Sequence, residues 1–371
     1  MQQRSSTAGA SSSAAEPERR FPGALTNFVQ DQGILLVILL FGFILFLLSA
    51  DFLTRANLVN LLVQSTILAV FAIGMTFVIL TAGIDLSVGS TAALTSVLSM
   101  GAVVNLGLPG GFGVLVGLLV GLLVGALNGL FVAKVGISPL IATLATLSAA
   151  SGAAFAYSNG SNITPVPQFL SDLGRANVLG VPLLIPLVLV LAILAHLVLT
   201  RTSFGRSIYA VGGNPEAARL AGIRTDRVKM IAYMICGLTA ALAGLMLTAR
   251  LGSGSPRAGE GAELTVIAAV VIGGTSLFGG QGDIKGSMLG VLLIGMVSNA
   301  VNLLGVPSAY DQLVTGGVIF AAAALDVYRY RYTQRSMSRR ARAVHAKGAQ
   351  GAGEERPVEM GGDSQASDRK Q

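Results

Sequence analysis

Asp85 stands between two long apolar runs and is followed by Ser87 and Ser90. An ionisable side chain in that setting is costly unless it faces water, a cavity or a partner. A carboxylate flanked by hydroxyls has two uses there: it can gate or line a polar path, or it can lie at the membrane surface where it and the serines cap the next helix. Asn128, Asn299 and Asn302 place further hydrogen-bonding groups inside apolar runs. They could bond the hydroxyls of a passing solute or hold helices together as polar glue. Bond-breaking chemistry finds no constellation, since H-E-x-x-H, C-x-x-C and G-x-S-x-G are all missing. Gly280-Gln281-Gly282-Asp283-Ile284-Lys285-Gly286-Ser287 has the glycines of a phosphate-binding loop without its Gly-Lys pair, so nucleotide chemistry would have to reside on another chain. No cofactor or metal is expected. The one cysteine, Cys236, reads as a small core hydrophobe. His196 reads as an interfacial or helix-bonded imidazole in preference to a proton relay, because the only other histidine is His345.

The elements that must position these groups are membrane helices. Of 371 residues, 53% are hydrophobic and 12% charged, against about 25% charged in an ordinary soluble domain. With 47 glycines and no tryptophan, helices must approach through small residues. Gly117, Gly121 and Gly125 recur every fourth residue on one face for that purpose. A hydrocarbon core about 30 Å thick needs about 20 apolar residues per helix. Runs near 33–50, 61–82, 90–106, 112–133, 139–157, 181–200, 230–249, 264–280, 287–304 and 311–328 give an all-α polytopic bundle of about ten transmembrane helices. The third and eighth are interrupted by Gly and polar residues, and either could be broken or re-entrant.

Residues 1–32 are Ser/Ala-rich and polar and are expected to form a disordered cytoplasmic tail, 33–328 the permeation domain, and 329–371 a basic, mostly disordered cytoplasmic tail. Glu18-Arg19-Arg20-Phe21 faintly echoes a twin-arginine signal. The run from Gly33 to Ala50 is nevertheless longer than a signal core, and Leu48-Ser49-Ala50 lacks a small residue at the first recognition position, which favours a retained anchor. With both termini cytoplasmic, 21 of the 25 Lys and Arg fall inside and four fall outside, namely Arg55, Arg175, Arg250 and Arg257. An odd number of helices would move the ten basic residues beyond Leu325 to the outside. The net charge of +7 comes from segment ends and tails, which argues against a nucleic-acid surface. Ile73-Gly74-Met75-Thr76 before Asp85 and Gly89-Ser90 is echoed by Ile272-Gly273-Gly274-Thr275 before Asp283 and Gly286-Ser287, a pattern that duplication or coincidence would each produce.

The loop at 201–229 is the most informative stretch. Asn214 suits an N-cap, Pro215 the first helical position and Glu216 the positive end of the helix dipole, while Gly222 can close the helix in a left-handed conformation. The expected short helix presents Ala217, Ala218 and Ala221 as a smooth face, on an ordinary surface loop or in a partner's groove. Phe204 through Ile223 resembles the cytoplasmic coupling loop of the permease subunits of bacterial ABC sugar importers of the ribose, galactose and xylose type. Gly83 through Ser90, Asn128-Gly129 with Ile137 through Leu144, and Glu263-Leu264 through Gly273-Gly274-Thr275 to Gly279-Gly280 carry the same resemblance, in the family's order and over about residues 30–330.

The resemblance implies a channel subunit of the bacterial cytoplasmic membrane that imports a simple sugar and performs no covalent chemistry. It implies a second permease, most simply an identical copy, an ATPase subunit docked on Asn214, Pro215, Glu216, Ala217, Ala218 and Gly222, and an external sugar-binding protein. Asp85, Ser87, Ser90, Asn128, Thr143 and Asn299 are the candidates for the pathway or gate. A branched-chain amino-acid permease is the nearest alternative, disfavoured by Gly-Gly-Asn-Pro-Glu-Ala-Ala. An ion-coupled secondary transporter is another, for which only Asp85 and Asp283 offer carboxylates near helix ends.

Overall fold

The structure, a computed structural model, describes residues 23–305 together with positions 307, 310, 313, 316, 317 and 320. The expected tenth helix and basic tail lie almost wholly outside the described residues, as do residues 1–22 of the first tail.

Nine apolar helices correspond to the first nine expected runs: α1 Gly23–Leu48, α2 Arg55–Leu80, α3 Val88–Val104, α4 Gly110–Gly129, α5 Pro139–Ser158, α7 Leu184–Arg201, α10 Thr225–Leu251, α11 Ala262–Ile272 and α12 Ile284–Leu303. Six of the described helices are long and apolar enough to cross a membrane, α4 counting with the π-helical turn Leu130–Val135 that extends it. α1 begins at Gly23, inside the segment expected to be tail, because hydropathy does not register a polar helical extension. The interior of the bundle is the second half of α2, residues 65–80, apolar or small on every side, and the helix is 78% buried over its most apolar window, as a stretch hydrophobic all round must be. α4, α5 and α7 bury one narrow side and present Leu, Ile and Val outward.

Small residues set the helix spacings. Gly117 packs against Thr95 and Leu245, and a Cβ on Gly121, Gly125 or Gly237 would overlap a backbone carbonyl across the α4–α10 contact. The spacing of the glycines on α4 thus brings two backbones together, as lipid-embedded helices require. Gly74 on α2 accommodates Thr239 and Cys236 of α10 in the same way, and Gly290 of α12 lies on the Ala269 carbonyl of α11.

Of the two segments expected to be broken or re-entrant, the third is a continuous helix and only the eighth is broken. α3 has 17 residues, and α11 has only 11, so the run written as 264–280 stops being helical at Ile272. The remainder, 273–283, is an irregular loop pinned by Gly280 N–H to Leu80 O (2.9 Å) at the C-terminus of α2. At the opposite end, α6 Gln168–Arg175 and the hairpin β1 Asn177–Val178 and β2 Val181–Pro182 fill the gap before α7. Leu170 of α6 is buried beside Met100 and Ala249, and Arg55 donates to Gly180 O (3.2 Å) to hold the hairpin. Neither element has an apolar run, so hydropathy does not reveal them.

Candidate functional site

The loop between α7 and α10 contains two helices, α8 Ser203–Gly213 and α9 Pro215–Leu220. α9 starts and stops as its sequence dictates. Asn214 is extended (φ −157, ψ 101) and its side chain accepts from Ala217 N–H at 3.0 Å, with Pro215 next in line and Glu216 in the first turn. At its far end Gly222 adopts φ +83, Gly222 N–H bonds Arg219 O and Ile223 N–H bonds Ala218 O (both 3.0 Å), a left-handed closure in which a β-branched residue would be strained.

The face offered outward differs from the expected one. Ala218 is only 4% exposed and packs into the main core, because the short helix needs one anchor on the body of the protein. Pro215, Glu216, Ala217, Arg219 and Ala221 are exposed. Leu220 is 89% exposed, a large apolar side chain in a polar loop. Sequence reasoning passed over Leu220 because it follows no apolar periodicity; its only signal was an isolated leucine between Arg219 and Ala221.

α8 ties this outward helix to the bundle. Gly212 packs on Leu80 O and on Gly280 N, where any side chain would collide with backbone. The Tyr209 hydroxyl donates to Gly282 O at 2.9 Å, and burial, then the Asp283 carboxylate, push its pKa above the ordinary tyrosine value. Phe204 stacks on Phe77 of α2 with ring centroids 6.4 Å apart. α8 thus connects α9 to the end of α2 and to the 273–283 loop.

Five of the six pathway candidates converge. Asp85, 1% exposed, accepts from Ser87 N–H (2.9 Å) and Ser87 Oγ (2.6 Å), and Asn128 Nδ2 donates to Asp85 Oδ1 (3.3 Å) and Ser87 Oγ (2.8 Å). Thr146 Oγ1 donates to Asn128 Oδ1 at 2.6 Å, while Thr143 Oγ1 donates to Pro139 O (2.8 Å) and, at 3.5 Å, to Ile84 O. The Tyr233 hydroxyl of α10 also donates to Ile84 O (3.2 Å). Ser90 Oγ turns back to Ser87 O at 2.9 Å. Neither serine caps α3 through its side chain: Ser87 occupies the N-cap position, but its hydroxyl is spent on Asp85. Asp85 does not lie at the surface either, because the connection 81–87 folds inward until its carboxylate reaches Cys236, near the middle of α10. The network ties that connection to α4, α5 and α10 with every carboxylate contact internal.

Asn299 lies elsewhere. It exchanges two hydrogen bonds with Asn57 (2.8 and 3.1 Å), joining the end of α12 to the start of α2, and acts as polar glue. Asp283 caps α12 through Gly286 N–H and is exposed, so the two echoed segments hold their aspartates in opposite environments. They nevertheless touch, Thr76 Oγ1 donating to Ser287 Oγ at 2.8 Å. The Nδ1 atom of His196 is buried with no hydrogen-bond partner among the described residues. No group of three or more His, Cys, Asp or Glu able to hold a metal ion occurs among the described residues.

Comparison with known proteins bears on this arrangement. A family described as the branched-chain amino acid transport system / permease component matches residues 57–323. The ribose import permease protein RbsC of Bacillus subtilis is 47% identical over 301 residues, 80% of this chain and 93% of that protein. RbsC of Escherichia coli K12 is 42% identical over 303 residues, 81% and 94% of the respective chains. The L-arabinose ABC transporter permease protein AraH of Azospirillum brasilense is 37% identical over 331 residues, 87% and 95% of the two chains. No solved structure matches the chain. The family match runs from the first turn of α2 past the end of α12 and takes in both the α8–α9 loop and the Asp85 network, and the chain belongs to this family of membrane permease components.

Proposed function

We propose that this chain is the membrane subunit of an ATP-driven importer that moves a simple sugar across the bacterial cytoplasmic membrane. It performs no covalent step. ATP hydrolysis resides on a partner ATPase chain, an external binding protein delivers the sugar, and two copies of the permease enclose the path. The observation that carries this reading is α9: a capped helix on a polar loop, presenting Leu220 outward and joined through Gly212 and Tyr209 of α8 to the end of α2 and the 273–283 loop. Its neighbours in sequence are ribose and L-arabinose permeases aligned over nearly their full lengths, which supports a sugar over the branched-chain amino acid in the family's description. An ion-coupled transporter would need a carboxylate or histidine relay open to water. Asp85 is instead internally bonded, and Asp283 is occupied as a helix cap.

Coupling works by differential affinity: an ATPase that binds one arrangement of α9 more tightly shifts the bundle toward it. The basic loop at 201–229 and both termini face the cytoplasm, in keeping with the 21 to 4 distribution of Lys and Arg. The test is Leu220→Asp, paired with Gly222→Val, which strains the same helix end by a different route. Burial of a leucine side chain contributes about 1.5–3 kcal/mol, so its loss should weaken ATPase association roughly 10- to 150-fold. Both variants should insert at normal levels, fail to co-purify with the ATPase and lose ATP-driven uptake. Retention of association and uptake by both, or external labelling of a tag at Arg224, would refute the coupling assignment.

A further inference from the structure

After α10 the chain does not cross over the outer surface but re-enters the bundle. Gly252 turns it back (φ +69), Gly254 exchanges backbone hydrogen bonds with Ile163 (2.8 and 2.9 Å), and Ser255 N–H bonds Ser96 Oγ at 3.0 Å. A few residues later Gly259 lies against Gly89, Ala92 and Phe71. From Ser96 to Gly89 along α3 is a descent of about 10 Å at the 1.5 Å rise of an α-helix. The level reached is deep inside the bundle: Asp85 beside the start of α3 meets Cys236, Ala92 lies on Gly244, and both partners belong to the interior of a 27-residue α10. α11 begins here and runs down to the 273–283 loop, whose Gly279 abuts Ala82. α3 and α11 are thus short helices that start from a shared central level and run in opposite directions.

This placement carries charge to a depth where lipid does not tolerate it. Arg257 and Glu260 are exposed and Glu263 is partly so, with Gly261 and Leu264 (56% exposed) between and beside them. The Glu263 carboxylate reaches over Gly89 at the start of α3, and the Arg257 guanidinium sits 5.8 Å from the Phe155 ring centroid. Ionisable side chains open to the outside of a chain at bundle depth cost at least about 2.5–3.5 kcal/mol each when they face hydrocarbon, so they face a water-filled cavity or protein. Desolvating like-charged carboxylates in a dry contact would add to that cost. We propose that the face formed by the re-entrant segment 252–261 and the first turn of α11 borders the aqueous path of the transporter, with Glu260, Gly261 and Leu264 in contact with that water. This builds on the transport reading above and assigns the path to a face that none of the six sequence candidates occupies.

Thiol labelling tests this without requiring transport. Single Glu260→Cys and Leu264→Cys variants, reconstituted with the ATPase in liposomes, are treated with a charged, membrane-impermeant methanethiosulfonate added to both sides. Leu119→Cys on the exposed apolar side of α4 reports lipid, Leu179→Cys at the fully exposed hairpin tip reports open water, and the buried native Cys236 supplies the background. Because only a hydrated thiolate reacts, both path variants should label about tenfold or more faster than Leu119→Cys. Ribose at saturating concentration should slow them and leave Leu179→Cys unchanged. Either variant suffices should the other fail to reach the membrane. Labelling no faster than at Leu119 would overturn the proposal and place this face in lipid or in a dry contact between copies. Co-purification of the ATPase, read on the same samples, shows separately whether the coupling assignment has failed.

Discussion

Removing the Asp85 carboxylate tests whether the inward-folded 81–87 connection is held by hydrogen bonds or by charge. In Asp85→Ala the Ser87 N–H and Ser87 hydroxyl lose the acceptor they share, at 2.9 and 2.6 Å, inside a region closed to water. Asn128 keeps its bond to Ser87 Oγ at 2.8 Å and is only partly deprived. Two stranded donors at about 1–3 kcal/mol each give a loss of about 2–6 kcal/mol, or roughly 4–12 °C in the midpoint of heat inactivation. Asp85→Asn keeps an oxygen where Oδ1 stands and removes a buried charge, so its change should stay within about 1 kcal/mol. The assay is the fraction of detergent-solubilised complex that remains monodisperse after heating, with ribose uptake measured in parallel. Asp85→Asn should preserve assembly with the ATPase and lose more uptake than assembly if the carboxylate also serves the gate. Equal destabilisation by Asn and Ala would refute the argument, since it would mean that the negative charge itself holds the connection.

The α4–α10 contact gives a sterically defined pair: Gly237→Val drives side-chain atoms into the Gly121 carbonyl and should abolish stable insertion, while Gly152→Val, with open space at its Cβ, should express normally. Western blotting of membranes distinguishes the two. For the reciprocal Asn57–Asn299 bonds, a double-mutant cycle to Ala should return a coupling energy of about 0.6 kcal/mol, the average for polar pairs between membrane helices, with no change in which sugar is transported.

How much of this was legible beforehand follows from the kind of signal each feature leaves. Apolar runs mark helices that must bury or meet lipid, and among the described residues the first nine expected segments have helical counterparts. The α9 punctuation was readable because Asn214, Pro215 and Gly222 act through local backbone chemistry alone. Which side of α9 faces outward was not readable. Six residues carry too little periodicity to tell Ala218, the anchor, from Leu220, the exposed one. The spacing of Gly117, Gly121 and Gly125 announced close helix contact but not the partner, which depends on the Gly237 register of α10. Asp85 was singled out correctly as unusual. Its place at depth was hidden, because inward folding of 81–87 depends on donors far off in sequence, Asn128 to Asp85 and Tyr233 to Ile84 O. Re-entry of 252–261 was equally hidden, since its polar composition reads as an external loop.

The central claim is that this chain imports a sugar only when an ATPase drives it. The direct measurement is uptake of labelled ribose into liposomes holding the chain and its ATPase, with the external binding protein supplied on the side opposite the nucleotide. Accumulation should require ATP hydrolysis and the binding protein, and should persist when ionophores collapse every ion gradient. Accumulation by the chain alone, abolished by ionophores and indifferent to ATP, would contradict the account.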